Sequence, residues 1–199
     1  MNGVLANAIA IVVNAILDLF IMAVLVRFWM QVVRAPTRNP FAQFSIALTD
    51  FAVRPMRRVV PGLFRLDLAS LFVALAFEFV LQLVLVALRG VNPFENPGAV
   101  LPVLLFYAFI EIVRLSIYVF MAAILIQAVL SWVSPYHAVA PFFDALTRPL
   151  LKPVRRVIPL IGGVDISPLF AFLFLQLLLL IPVALLEQAS MQMLSRALL

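Results

Sequence analysis

The chain of 199 residues has few of the side chains that build most catalytic and metal centres. It has no cysteine and a single histidine, His137. The absence of cysteine excludes disulfides, thiol catalysis, iron–sulfur ligation and thiolate zinc sites. One histidine cannot supply bis-histidine haem ligation or a multi-histidine zinc site within one chain. No Walker, Rossmann or nucleophile-elbow pattern is present. We therefore expect neither a cofactor nor an enzyme.

Charge is also scarce. Only 12% of the residues are charged and 66% are hydrophobic, whereas soluble domains average about 25% and about 45–50%. This composition cannot make a water-soluble surface, so lipid is the expected solvent. The net charge of +5 comes from basic residues in loops between apolar runs. Anionic headgroups are therefore their expected partner, and nucleic acid is not.

Four apolar runs are long enough to cross a bilayer, which takes about 20 residues. They are predicted at Val4 to Val26, Leu68 to Leu88, Pro102 to Val133 and Ile166 to Leu186. The third run is too long for one perpendicular span. It is either one long helix or an interfacial segment that leads into a span, and we favour the long helix.

The basic residues are concentrated in two loops, which predicts the orientation of the chain in the membrane. The segment from Arg27 to Arg65 holds seven of them, and the segment from Arg148 to Arg156 holds four. The linker from Gly90 to Leu101 holds none. Positive charge marks cytoplasmic loops, so we expect both basic loops inside and both termini outside.

One basic motif occurs twice. The residues from Arg54 to Pro61 recur as Lys152 to Pro159, 98 positions later. Each copy has a basic residue, proline, any residue, two arginines, two β-branched residues and proline, with an aspartate six positions further on. The same offset pairs Thr49 with Thr147 and Glu78 with Gln176. Repetition at one offset predicts two tandem units, related by an axis along the membrane normal because each unit crosses twice.

This duplicated motif resembles that of the YggT family, over nearly the whole chain. The resemblance implies a bacterial inner-membrane or plastid protein, and we expect the bacterial inner membrane. The apolar runs and the repeat predict an all-α fold with four transmembrane helices in two parallel pseudo-symmetric repeats. The repeats are expected at residues 1–89 and 102–199, joined by a non-cytoplasmic linker at 90–101. Members of the family have been associated with osmotic tolerance, cell division or nucleoid distribution, and haem attachment to a plastid cytochrome. The resemblance implies no single mechanism.

The motif residues are the candidate binding site. Arginine and lysine side chains should bind anionic lipid headgroups or an acidic partner protein, although positive charge could serve orientation alone. Proline disfavours helix in the residue before it, so Arg54 and Lys152 are expected to be extended or turn-like. The aspartates should cap the following span or pair with the motif arginines. The basic candidates are Arg54, Arg57, Arg58, Lys152, Arg155 and Arg156. The structural candidates are Pro55, Pro61, Asp67, Pro153, Pro159 and Asp165.

A short interfacial helix is predicted before each motif. In the first repeat, Phe41, Phe44, Leu48 and Phe51 share one helical face, which is typical of a helix lying at the membrane surface. In the second repeat Phe142 and Leu146 keep that face.

Polar residues within the spans are the second candidate site, because charge at membrane depth is costly. They are Asp18, Glu78, Gln82, Glu111, Arg114 and Gln176. Glu111 and Arg114 lie three residues apart and should pair, and Asp18 should reach Arg114 across the bundle. The set forms either a structural polar seam or a path for ions or protons.

Two functions remain open. The first is a non-enzymatic membrane scaffold or assembly factor that uses the basic loops. The second is a small channel or transporter that uses the intramembrane charges. The scaffold is favoured because the repeated motif lies in the loops, whereas Glu78 is replaced by glutamine in the second repeat. Pro182 could break the last span, but its counterpart Val84 could not. The partner and the oligomeric state are not set by the sequence.

Overall fold

The computed structural model describes residues 2–60, 62, 66–134, 136–158 and 165–197. Helices dominate this part of the chain. They are α1 (Asn2–Val32), α2 (Pro40–Met56), α3 (Leu68–Leu88), α4 (Pro97–Val133), α5 (Ala140–Val157), α6 (Ser167–Leu178) and α7 (Ala184–Ala197). A π-helical turn, Leu179–Val183, joins α6 to α7 without interrupting the rod.

Four helical rods are long and apolar enough to cross a membrane: Gly3–Val32, Leu68–Leu88, Pro97–Val133 and Ser167–Ala197. The chain is therefore a multi-pass membrane protein, and the all-α, four-span prediction is confirmed. The favoured alternative for the third run is correct, because α4 is one helix of 37 residues. At 1.5 Å per residue it is about 55 Å long, so it is longer than the roughly 30 Å hydrocarbon core.

Local sequence explains where the spans and loop helices begin and end. At the end of α1, Arg34 adopts a left-handed φ of 55°, and the Ala35 amide returns to the Met30 carbonyl at 2.8 Å. Asn39 then caps α2 by accepting a hydrogen bond from the Ala42 amide. Gly90 has a φ of 81° and ends α3, since glycine takes this conformation without steric cost.

The predicted order of elements occurs twice: a long span, a short loop helix and a second span. In the first repeat these are α1, α2 and α3, and in the second they are α4, α5 and the α6–α7 rod. The two repeats meet along α4, which contacts α1 and α3 as well as its own repeat. A cluster that includes Met30, Ala42, Ala123, Phe142 and Leu146 fills the junction at the loop-helix end.

The two loop helices bury different faces. In α2 the predicted apolar face points outward, with Phe44 and Phe51 exposed, while Ala42, Thr49 and Val53 face the bundle. In α5 the equivalent of Phe44 is Phe142, which is fully buried against Phe143 and Phe41. The shared interfacial face predicted for the second repeat is therefore wrong, because α5 packs at the junction between the repeats.

Candidate functional site

The two prolines at the start of the motifs lie inside helices. Pro55 belongs to the last turn of α2, and Pro153 lies in α5. Arg54 and Lys152 are consequently helical, and the expectation that they are extended or turn-like is wrong. Each proline lacks a backbone N–H, so the carbonyl four residues earlier loses its helical donor. Ile158, the C-cap of α5, is extended, which is the conformation favoured in the residue before a proline. Pro61 and Pro159 lie outside the described residues.

The first arginine of the motif in the first repeat is bound to the following aspartate. Arg57 donates from Nη2 to Asp67 Oδ2 at 2.6 Å and from Nε to Oδ1 at 3.3 Å. Ser70 and Gln31 also donate to this carboxylate. Burial alone would raise the pKa of Asp67, but the hydrogen bonds from Arg57 and Ser70 outweigh it and hold that pKa below its usual value. The carboxylate is therefore charged and links the motif loop to the start of α3.

The second repeat makes the same ion pair ten residues apart. Arg155 Nε donates to Asp165 Oδ2 at 2.8 Å, and Asp165 Oδ1 accepts from the Ser167 amide at 2.9 Å. Asp165 thus performs both predicted roles, the ion pair and the cap, whereas the Asp67 side chain does not cap α3. The Asp165 carboxylate is 30% exposed, compared with 4% for that of Asp67. The second ion pair is therefore the more hydrated one.

The other basic residues of both motifs project outward. The side chains of Arg54, Arg58, Lys152 and Arg156 are exposed, and none forms a salt bridge with a residue that the structure describes. Each second arginine is followed by an exposed valine: Val59 is 76% exposed and Val157 is 81% exposed. The same surface, basic with an apolar edge, is present at the end of each loop helix.

Polar contacts that the sequence did not reveal hold each loop helix to the preceding span. Arg27 is only 3% exposed, and it donates to Thr49 Oγ1 and pairs with Asp50, both at 3.1 Å. In the second repeat Thr147 Oγ1 donates to Gln127 Oε1 at 2.5 Å. Thr49 and Thr147 occupy equivalent positions in the two repeats, and this was the only sign of these contacts in the sequence. Arg27 is thus internal rather than part of the exposed basic loop.

Five of the six intramembrane polar residues line one cavity of about 180 Å³ among α1, α3, α4 and α7. The predicted pair forms, with Arg114 Nη1 donating to Glu111 Oε1 at 3.1 Å. The expected contact between Asp18 and Arg114 is not formed, since Arg114 reaches Glu187 at 3.3 Å instead. Asp18 accepts a hydrogen bond from Asn14 at 2.7 Å.

Glu78 and Gln82 line the same cavity, and Gln82 Nε2 donates to Glu78 Oε1 at 2.6 Å. Gln176 is exposed on the outer side of α6 and takes no part in this cavity. The placement of Gln176 in a shared polar seam is therefore wrong. Within the described ranges, no group of three or more histidine, cysteine, aspartate or glutamate side chains is arranged to hold a metal ion.

The spans and the duplicated loop motif define a class of protein: a multi-pass helical membrane protein built from two tandem repeats of one unit. The chain belongs to the CCB3/YggT family, whose sequence profile matches residues 6–88 and 106–186. The two matched segments correspond to the two repeats.

Relatives from several bacteria cover most of the chain. A protein of Pseudomonas aeruginosa is 36% identical over 163 residues, or 81% of this chain and 81% of its own length. A Vibrio alginolyticus protein is 34% identical over 174 residues, covering 85% of this chain and 90% of its own length. The Escherichia coli K12 protein YggT is 30% identical over 170 residues, covering 85% and 86%. Each carries the description "uncharacterized", and none of these names states an activity. No solved structure matches the chain.

Proposed function

We propose that this protein is a non-enzymatic scaffold or assembly factor of the bacterial inner membrane. In this proposal both basic loops face the cytoplasm, where positive charge is retained, and both termini lie outside. The basic ends of the two loop helices bind an acidic surface, either the anionic leaflet or an acidic partner protein. Osmotic tolerance, cell division and cytochrome maturation are the processes such a scaffold would serve, and the partner would decide among them.

One observation carries the proposal: the two arginines of each motif are used differently, and in the same way in both repeats. The first arginine pairs with its own aspartate, as Arg57 does with Asp67 at 2.6 Å. The second, Arg58 or Arg156, is exposed beside an exposed valine. Orientation requires only positive charge near the membrane. A fixed pattern of one anchored and one projecting arginine favours recognition instead.

The energy available from this surface is sufficient for anchoring. Each basic residue near an anionic leaflet contributes on the order of 1 kcal/mol. The four projecting side chains, Arg54, Arg58, Lys152 and Arg156, would therefore contribute about 4 kcal/mol together. The anchored arginines add little, because their charge is already balanced.

The test uses photo-crosslinking in intact cells, with the photoreactive residue at Val59 or Val157. These two valines are exposed and directly follow Arg58 and Arg156. The variant that combines Arg58→Gln with Arg156→Gln removes two charges and keeps both ion pairs. A matched control combines Arg34→Gln with Arg38→Gln, which removes two exposed charges elsewhere in the first basic loop.

A discrete protein adduct that is lost in the motif variant and kept in the control supports the scaffold, and its identity names the process served. Lipid adducts that fall in the motif variant alone support the same surface with headgroups as its ligand. Adducts that are equal in all three proteins would contradict the proposal, since the arginines would then serve orientation only.

A small channel or transporter is the second candidate, and the polar cavity among the spans is the observation that favours it. Its test is ion flux into liposomes that contain the purified protein. Flux that is lost with Glu78→Ala would favour this candidate, because Glu78 lies at the inner end of the cavity.

A further inference from the structure

The polar cavity reaches from the linker side of the bundle to the middle of the membrane. Arg89, which follows the last residue of α3, lines its outer end. Glu78 lies eleven residues earlier, about 16 Å deeper at 1.5 Å per residue, and therefore near the centre of the 21-residue span. A volume of about 180 Å³ leaves room for several water molecules, each of which occupies about 30 Å³ in the liquid.

Glu78 is the most deeply buried ionisable side chain of this cavity, with 1% of its surface exposed. Its Oε1 accepts a hydrogen bond from Gln82, while its Oε2 is buried and has no partner among the described residues. An ionised carboxylate left unpaired in a low-dielectric interior is expensive by several kcal/mol, and such groups become neutral instead.

The groups around Glu78 do not supply the missing positive charge. From α4, Arg114 faces the cavity, but it is bound to Glu111 of the same helix and to Glu187 of α7. From α1 comes Asp18, which has Asn14 as its partner. The remaining titratable groups lining the cavity are Arg89, Tyr107 and Tyr118. Arg89 is exposed at the mouth, and neutral tyrosines balance no charge. The interior of the cavity therefore has more carboxylates than cations.

We propose that Glu78 is a proton-binding site, reached through this cavity from the linker side of the membrane. A proton on Oε2 would make the buried carboxyl neutral, and it needs only this one oxygen. An alkali metal ion would need several oxygen ligands, and Oε2 is the only buried oxygen of Glu78 without a partner among the described residues. The inference is independent of the scaffold proposal, since the cavity and the basic motifs lie toward opposite ends of the bundle.

The test is infrared spectroscopy of the full-length protein in lipid nanodiscs at pH 7, in the region of the protonated carboxyl C=O stretch. Glu78→Gln places in the first repeat the residue that the second repeat has at the equivalent position, Gln176. Glu95→Gln is the matched control, because Glu95 lies in the linker and is exposed. Gln82→Leu keeps the Glu78 carboxyl but removes the amide that contacts it. Each spectrum is recorded in choline chloride and again in sodium or potassium chloride.

A carboxylic acid band in the wild type supports the proposal if it is lost with Glu78→Gln and kept with Glu95→Gln. A shift of that band with Gln82→Leu gives the same assignment from a variant that retains the acid, should Glu78→Gln fail to fold. Absence of the band in choline chloride would overturn the proposal. A band that disappears on addition of sodium or potassium at constant pH would also overturn it, because the site would then select a metal ion.

Discussion

The duplicated ion pair provides an internal comparison for one prediction, the replacement of its aspartate by asparagine in each repeat. Asparagine keeps the shape of the side chain but removes the charge and one acceptor. Asp67 is buried and receives hydrogen bonds from Arg57, Ser70 and Gln31. Asp165 is 30% exposed and pairs with an arginine that is 41% exposed.

The expected losses of stability follow from this difference in burial. Removing one partner of a fully buried pair costs about 3–5 kcal/mol. Arg57 is 43% exposed and can be hydrated again, so Asp67→Asn should cost about 2 kcal/mol, near the value for hydrogen bonds to a charged group. Exposed pairs are worth about 0.2–1 kcal/mol, and asparagine can still cap Ser167. Asp165→Asn should therefore cost under about 1 kcal/mol.

The assay is reversible unfolding of each purified variant in mixed micelles, with increasing SDS and far-UV circular dichroism as the readout. Equal losses for the two variants would refute the reasoning, as would a larger loss for Asp165→Asn. Lowering the pH gives a second check. The pKa of Asp67 lies below its usual 3.8 in the folded state, so this carboxylate stabilises the fold above that value. The gap between wild type and Asp67→Asn should be full above about pH 5 and shrink as the pH falls through the folded-state pKa.

Three further predictions test the packing. Phe142→Ala should cost about 3 kcal/mol of stability because this ring is fully buried, whereas Phe44→Ala at the equivalent position should cost under about 0.5 kcal/mol. SDS unfolding of both variants measures the difference, and equal costs would contradict the assigned burial. Thr147→Val should cost about 1–2 kcal/mol in the same assay, since it removes the hydroxyl that donates to Gln127. An unchanged unfolding midpoint would exclude that contact. Pro182→Ala restores a backbone N–H in the π-helical turn. Amide hydrogen exchange in that turn should therefore slow about fivefold, which corresponds to one hydrogen bond of roughly 1 kcal/mol, and unchanged exchange would show that the proline does not weaken the turn.

The sequence predicted the spans and the repeat well because both depend on strong, local signals. The apolar run predicted at Leu68 to Leu88 has the same bounds as α3. The duplicated motif is found by aligning the chain with itself. Glu111 and Arg114 pair as predicted, because a spacing of three places them on one face of the same helix.

Contacts between helices were not predictable in this way, because they depend on helix rotation and on the neighbours of each face. A π-helical turn contains one residue more than an α-helical turn. Every side chain that follows it is therefore rotated about the helix axis by about 100°. The contact of Glu187 with Arg114 lies beyond such a turn. Arg27 appeared to belong to the basic loop, and only the packing of α2 against α1 shows that it is buried. Phe44 and Phe142 occupy the same repeat position with opposite burial, which no pattern within one repeat can reveal.

The opposite burial of these two phenylalanines means that the two halves of the molecule are no longer interchangeable. The first half supplies the membrane-buried acid Glu78 and the internal arginine, Arg27. The second half supplies α5, whose Phe142 fills the junction between the halves. A chain assembled from two first halves would have serine, as at Ser45, in place of Phe143 in that junction. One assembled from two second halves would have glutamine, as at Gln176, in place of Glu78. Each half therefore carries residues that the other lacks, and we expect that an assembly of identical single units would not reproduce both the buried acid and the filled junction.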